Sequence, residues 1–211
     1  MQTAVALADE DGIDSLTMRN LASELGVEAM SIYYHVANKE AVLDGIVEQV
    51  LIELNGEADK LGSISAPDEW KSAMRAKILA ARRVLLRHRW APAVIETRTT
   101  MSPPSLTYFE SLLAVMRGGG FSYDLAHHAL HALGSRALGF TQELFEPDDV
   151  ELGEEAAAEM LEQMAADLPN IVGMMMEISH DDPGSTIGWC DDQTEFEFGL
   201  DLLLDGLDRL R

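Results

Sequence analysis

Between residues 28 and 39 the chain gathers side chains suited to a nucleic-acid duplex. Ser31, Tyr33 and Tyr34 carry hydroxyls that donate to phosphate oxygens, and Ala29 or Met30 can touch a thymine methyl. His35 adds an imidazole. Lys39 opens a helical stretch, where its ammonium and the helix N-terminus together favour phosphate. Glu28 is the exception: it either accepts from a cytosine amino group or points away. Taken alone, Tyr33–Tyr34–His35 also reads as the aromatic part of an ordinary amphipathic helix packed in a core. A second group, His127, His128 and His131, invites a metal, because His127 and His131 share a helix face at i, i+4. No Glu lies between them as in HExxH, and no cysteine is near, so buried, hydrogen-bonded or pocket-lining histidines are expected instead of a metal site. No nucleophile-elbow motif is present, so neither enzyme activity nor a cofactor is expected. Cys190 is the only cysteine, which excludes an intrachain disulfide and a zinc site on paired cysteines.

The elements that must position the first group are helical. Residues 12–39 predict two short helices, Thr17–Leu25 and about Glu28–His35, joined by a tight turn at Gly26. Leu16, Leu21, Leu25, Val27, Ile32 and Val36 are spaced to form a shared core beneath them, and Ala22 is small enough for a close crossing. This is a helix-turn-helix layout, whose second helix enters the major groove. Asn38 can cap a long helix to about Asp59. Ser65 followed by Pro67, Asp68 and Glu69 starts another, Ser102 before Pro103 a third, and Ser122, after three glycines, a fourth that runs to about Phe145. No stretch alternates like a strand, so the fold expected is all-α. Met1–Asp11 reads as the second half of a helix, and its opening turns and any basic arm are expected to lie outside this chain. The domain boundary falls near residue 45, inside the long helix. Residues 1–45 form a three-helix DNA-binding head and 46–211 a larger helical ligand-binding and dimerisation body.

Charge is distributed unevenly over the 211 residues. Fifteen Lys and Arg face 37 Asp and Glu, a formal net charge of −22. Residues 141–211 hold 20 of those acids and only Arg209 and Arg211 as bases, whereas 71–98 hold eight bases. Arg82, Arg83, Arg87 and Arg89 are expected to form a solvated or dimer-facing stripe answering the acidic tail. No uncharged apolar run approaches the ~18 residues of a membrane helix, and no signal peptide opens the chain. A reduced, cytoplasmic setting and no membrane partner are expected.

The run LTMRNLASELGVEAMSIYYHVANKEAVLD resembles the helix-turn-helix of the TetR family of transcriptional repressors. The likeness rests on T-x-R-x-L-A-x-x-L-G-V and S-x-Y-x-H-V-x-x-K and spans about residues 4–50. By matched position it implies that Thr17 and Arg19 touch the backbone or groove edge. It makes Ser31, Tyr33, Tyr34, His35 and Lys39 the main contacts, with Ala29 and Met30 where family members vary with operator. From Asp68 to Glu143, RRVLLRHRW, ETRT, GGGFS and ALGF resemble the C-terminal domain of the tetracycline-repressor subgroup, and FEFGLDLLLDGLDRL resembles its last dimerisation helix. In that subgroup a histidine shortly before a Thr-Arg pair helps hold the magnesium that accompanies tetracycline. Here Thr97–Arg98 is present, but Val94 or a neighbour stands in the histidine's place. Lys77 and Ala81 fall where an amide and an aromatic ring are expected, so the effector implied is not magnesium-tetracycline.

The last helix, about Thr194–Leu210, carries an apolar seam at Phe196, Leu200, Leu203, Leu207 and Leu210, widened by Leu202 and Leu204. With Gly134 and Ser135 of the Ser122–Phe145 helix it is expected to form a four-helix bundle across a two-fold axis. Such a homodimer sets two recognition helices ~34–36 Å apart on a pseudo-palindrome. A pocket within 65–176 is expected from Trp90, Arg98, Met101, Phe109, Leu113, Met116, His131 and Phe140. Met174, Met175 and Met176, beside Ile171 and Ile178, read as flexible core or adaptable lining. The function expected is a repressor released from double-stranded operator DNA by a small-molecule effector. The alternative is a helical ligand-binding or interaction protein that no longer reads DNA, for which the net charge, Glu24, Glu28 and the absent basic arm speak.

Overall fold

The computed structural model describes residues 1–139, 163–177 and 192–211. The chain divides into two compact units, Met1–Thr141 with Leu200–Arg211, and Gln142–Gly199. Among the described residues all regular structure is helical.

In the first unit α1 (Gln2–Asp11) buries Ala4, Leu7 and Ala8 at helical spacing. After a short 3-10 turn, α2 (Met18–Glu24) starts at Thr17, whose Oγ1 accepts from the Asn20 N–H at 3.1 Å. It stops at Gly26 with φ of 65°, a left-handed position that glycine adopts without Cβ strain. There the Val27 N–H reaches the Ala22 carbonyl and the Gly26 N–H the Ser23 carbonyl, the paired bonds of a Schellman stop. The same stop recurs after α7 (Pro103–Gly118), where Gly120 (φ 91°) lets the Phe121 N–H return to Met116.

α3 is a single turn, Ala29–Ile32, shorter than the expected Glu28–His35. Beyond Ile32 the chain continues as turns, with the His35 and Val36 amides both donating to the Ile32 carbonyl. Leu25 and Val27, expected in the core, are 48% and 46% exposed. They flank the glycine stop, where the helical period that would have turned them inward has ended.

Asn38 caps α4 (Lys39–Asp59), its Oδ1 accepting from the Ala41 N–H at 2.9 Å. α4 packs against α1, α5 (Trp70–Arg87), α6 (Ala91–Glu96) and α7 (Pro103–Gly118). One apolar core runs without interruption from Ala4, Leu16 and Ile32, through Val42, Ile46 and Val50, to Val84, Leu85 and Val94. Head and body therefore share a core through the middle of α4.

α8 (Tyr123–Gly139) follows, with Ser122 Oγ accepting from the Leu125 N–H. The second unit's described residues include α9 (Pro169–Glu177), in which Val172 is buried and Ile171 and Met174 are exposed. Ile178, Phe140 and all the acidic residues at 146–162 and 181–191 lie outside the described residues.

α10 (Asp192–Asp208) returns to the first unit from Leu200 onward. There it lies antiparallel to α5: Asp201 accepts from Arg75 Nε at 2.7 Å, Asp205 pairs with Lys71, and Asp208 accepts from the Trp70 indole at 3.0 Å. The bases answering the acidic tail are thus Lys71 and Arg75. Of the predicted stripe, Arg82 is buried, Arg87 pairs with Glu53, and Arg83 and Arg89 are exposed.

Candidate nucleic-acid interface and ligand cavity

The head presents Met30, Ser31, Tyr33, Tyr34, His35 and Lys39 to solvent, with Tyr34 86% and Met30 67% exposed. Their support is buried: Ile32 sits in the core, Ala29 packs half-buried against it, and Leu21 and Ala22 lie beneath. An amphipathic helix that hides its aromatics is not what forms. Arg19 is exposed in the first turn of α2, and Thr17, although it accepts the capping bond, keeps its hydroxyl proton free to donate. Lys39 stands at the first position of α4, where the unpaired amides of the helix start add to its charge. The nine predicted DNA-facing residues lie between the start of α2 and the first residue of α4, eight of them exposed and Ala29 half-buried.

Residues 1–46 match the family described as bacterial regulatory proteins, tetR family, and residues 65–211 match the tetracyclin repressor-like C-terminal domain. The chain belongs to the TetR family. It is 29% identical to tetracycline repressor protein class C of Escherichia coli, over 100% of this chain and 90% of that protein. It is 31% identical to an HTH-type transcriptional regulator of Saccharopolyspora erythraea, over 98% of this chain and 82% of that protein. Among solved structures it resembles a possible TetR family regulator from Streptomyces coelicolor A3(2), with a TM-score of 0.77, 29% identity, and coverage of 100% and 97%. This TetR-family chain is accordingly a ligand-responsive, DNA-binding regulator, in a family of regulators of transcription.

The body holds a cleft of about 400 Å³ between α4, α7 and the segment joining α6 to α7. Of the eight predicted pocket residues, Arg98, Met101 and Phe109 line it. The others do not. Met116 and Trp90 are buried in the core, Leu113 is half-buried elsewhere on α7, His131 is exposed on α8, and Phe140 lies outside the described residues. Asp44, Glu48, Thr100, Ser102 and Ser105 line the cleft and were not anticipated. Asp44 and Glu48 stand one helical turn apart, the one available signal that they share a face. Arg98 is almost enclosed. Its Nη1 lies 2.9 Å from Glu40 and 3.0 Å from Asp44, and its Nε and Nη2 donate to Thr97 Oγ1. Val94 is buried and apolar, so it offers magnesium no lone pair. Lys77 is also buried: its Nζ donates to the Ala58 carbonyl at 3.2 Å, and burial pushes its pKa down.

A polar network missed in the sequence ties head to body. His88, at the end of α5, sets Nδ1 2.8 Å from Asp9 Oδ1 and Nε2 3.1 Å from Glu53 Oε2. The Trp90 indole donates to the same Asp9 oxygen at 2.7 Å. Arg87, and secondarily His88, hold the Glu53 carboxyl below the usual range.

The three histidines of α8 form an exposed group in edge-to-face contact, with His127 and His131 centroids 4.7 Å apart. They are neither buried nor cavity-lining, which corrects the expectation. Among the described residues no set of three His, Cys, Asp or Glu could hold a metal ion. The side chains of the predicted dimer seam differ in burial. Phe196, Leu200 and Leu207 are buried within the single chain, and Leu203 and Gly134 are half-buried. The apolar side chains of α10 left facing outward are Phe198, at 63% exposure, and Leu202, at 58%.

Proposed function

We propose that this protein is a homodimeric repressor that grips a pseudo-palindromic operator through two copies of the 17–39 surface. Residues 1–45 act as the reading head and 46–211 as the ligand-binding and dimerisation body, in a cytoplasmic setting. The observation that carries this reading is the exposed donor surface from Ser31 to Lys39, held on buried Ile32 and continuous with α4. Leu202, exposed on α10, supplies part of the self-complementary face of a two-fold dimer. An effector in the α4–α6–α7 cleft releases DNA by favouring a state whose two heads no longer match successive grooves, which requires different affinity for the two states. The name of the class C relative, a tetracycline repressor, supports this use of the fold.

The test is a gel shift of the purified chain with DNA from upstream of its own gene. A sequence-specific band is expected, and Tyr34→Ala or Lys39→Ala should weaken it at least tenfold, on the order of 1.4 kcal/mol. A chain that gives no specific band, or whose two variants bind like the parent, is a ligand-binding protein without an operator.

A further inference from the structure

The cleft between α4 and α7 is unbalanced in charge. Among the described residues its one lining cation, Arg98, is already engaged by Glu40, Asp44 and Thr97. Glu48 lines the same cleft one turn beyond Asp44, half-buried, and among the described residues no cation or hydrogen-bond donor meets its carboxylate. The remaining wall joins apolar side chains, Leu51 and Phe109 among them, to the hydroxyl of Ser105. An anionic guest would face two carboxylates with the guanidinium already spent, whereas a guest with one positive end and an apolar body meets a complement at both ends.

We infer that the cleft takes an organic amine of single positive charge, its ammonium between Asp44 and Glu48 and its aromatic or branched aliphatic body against Leu51 and Phe109. This rests on the cleft being the effector site and adds the chemical class of the effector. It also gives the ligand a route to the DNA end. Asp44 serves both the ammonium and Arg98, so a bound amine competes with the bridge that ties Arg98 to the first two turns of α4, beside Lys39. Weakening that bridge is the differential interaction that ligand-driven release requires.

Three probes of one shape decide the matter by calorimetry on the full chain: 4-phenylbutylamine, 4-phenylbutanol and 4-phenylbutyrate. The amine is expected to bind about tenfold more tightly than the alcohol, and the carboxylate more weakly than either. Glu48→Gln, which keeps the shape, should shrink the amine–alcohol gap to under about threefold and leave the alcohol unchanged. Phe109→Ala should weaken all three, which locates the site. Equal affinity of amine and alcohol, a gap that survives Glu48→Gln, preference for the carboxylate, or no binding by any probe overturns the inference. Calorimetry needs no DNA, so a failed gel shift beside an intact amine preference would count against the operator and not against the cleft.

Discussion

Replacing Asp9 by alanine should destabilise the protein by about 3 kcal/mol. One oxygen of Asp9 accepts from two donors of the body, His88 Nδ1 at 2.8 Å and Trp90 Nε1 at 2.7 Å. Both donors belong to buried residues. A hydrogen bond to a charged partner contributes roughly 1.5–3 kcal/mol, and a buried donor left without an acceptor costs about 1–3 kcal/mol. The two losses overlap, because Glu53 still holds the other face of His88 at 3.1 Å. Urea unfolding followed by tryptophan emission, at fixed concentration because a dimer is expected, should show the midpoint falling by about 1 M for a slope near 2–3 kcal/mol/M. Trp90→Phe removes one donor and leaves Asp9 paired with His88, so about 1–2 kcal/mol is expected beyond the small change in ring size. The double variant should cost clearly less than the sum, since the two residues share one oxygen. A shift below about 0.5 kcal/mol for Asp9→Ala, or strict additivity, would refute the claim that this network fastens head to body.

Four further outcomes follow from the geometry. Among the described residues the buried Tyr108 hydroxyl meets no hydrogen-bond partner and burial raises its pKa, so Tyr108→Phe should increase stability by about 1 kcal/mol in the same urea assay. Hydrogen bonds from Arg211, then from Trp70, hold the Asp208 carboxyl below its ordinary range. Its contribution is present above the unfolded carboxylate value and lost as pH falls through the folded one, so Asp208→Asn should flatten the acid limb of the stability profile. Leu202→Asp, on the exposed side of α10, should leave the monomer's helicity intact and shift a light-scattering mass from dimer to monomer. Arg19 and Lys39 are the only Lys or Arg in residues 1–46, against eight acids, so a dimer on operator should show a log K against log salt slope of about −4. A slope near −10 would show that bases outside the head reach the DNA.

The head was legible in the sequence because its signals are local. Thr17 and Asn38 cap the helices they precede, and Gly26 takes the positive φ the turn requires. What failed there was the length of the second helix, since periodicity cannot show that hydrogen bonding stops at Ile32 and turns carry Tyr33 to His35. The body was less legible. Leu200, Leu202, Leu203, Leu204 and Leu207 crowd one helix, and apolar spacing alone leaves the inward side undecided. The ion pairs mark the register: Asp201 and Asp205, at i and i+4, meet Arg75 and Lys71 at the matching spacing on α5, with Leu200, Leu204 and Leu207 buried and Phe198 and Leu202 outward. That signal was in the sequence, but it becomes readable only once the two helices are known to be antiparallel neighbours. The Asp9, Glu53, His88 and Trp90 network offered no local signal, because its members come from three elements far apart in the chain.

These placements make α4 more than a spacer. At 1.5 Å per residue its 21 residues span roughly 30 Å. Along that length it carries Lys39 at the DNA end, Asp44 and Glu48 on the cleft, Glu53 on the His88 network, and Asn55, whose amide donates to the Pro104 carbonyl at the start of α7 at 2.9 Å. Lys39 belongs to the expected operator contact, Asp44 to the head's last turn of α4, and Glu48, Glu53 and Asn55 to the body, yet Val42, Ile46 and Val50 lie in one continuous core. A rigid helix fixed at its far end by Glu53 and Asn55 cannot absorb a change at Asp44 within the body alone. In the proposed switch, releasing Arg98 from Asp44 therefore acts on the first two turns of α4, which begin at Lys39 and the Asn38 cap and pack on the reading head.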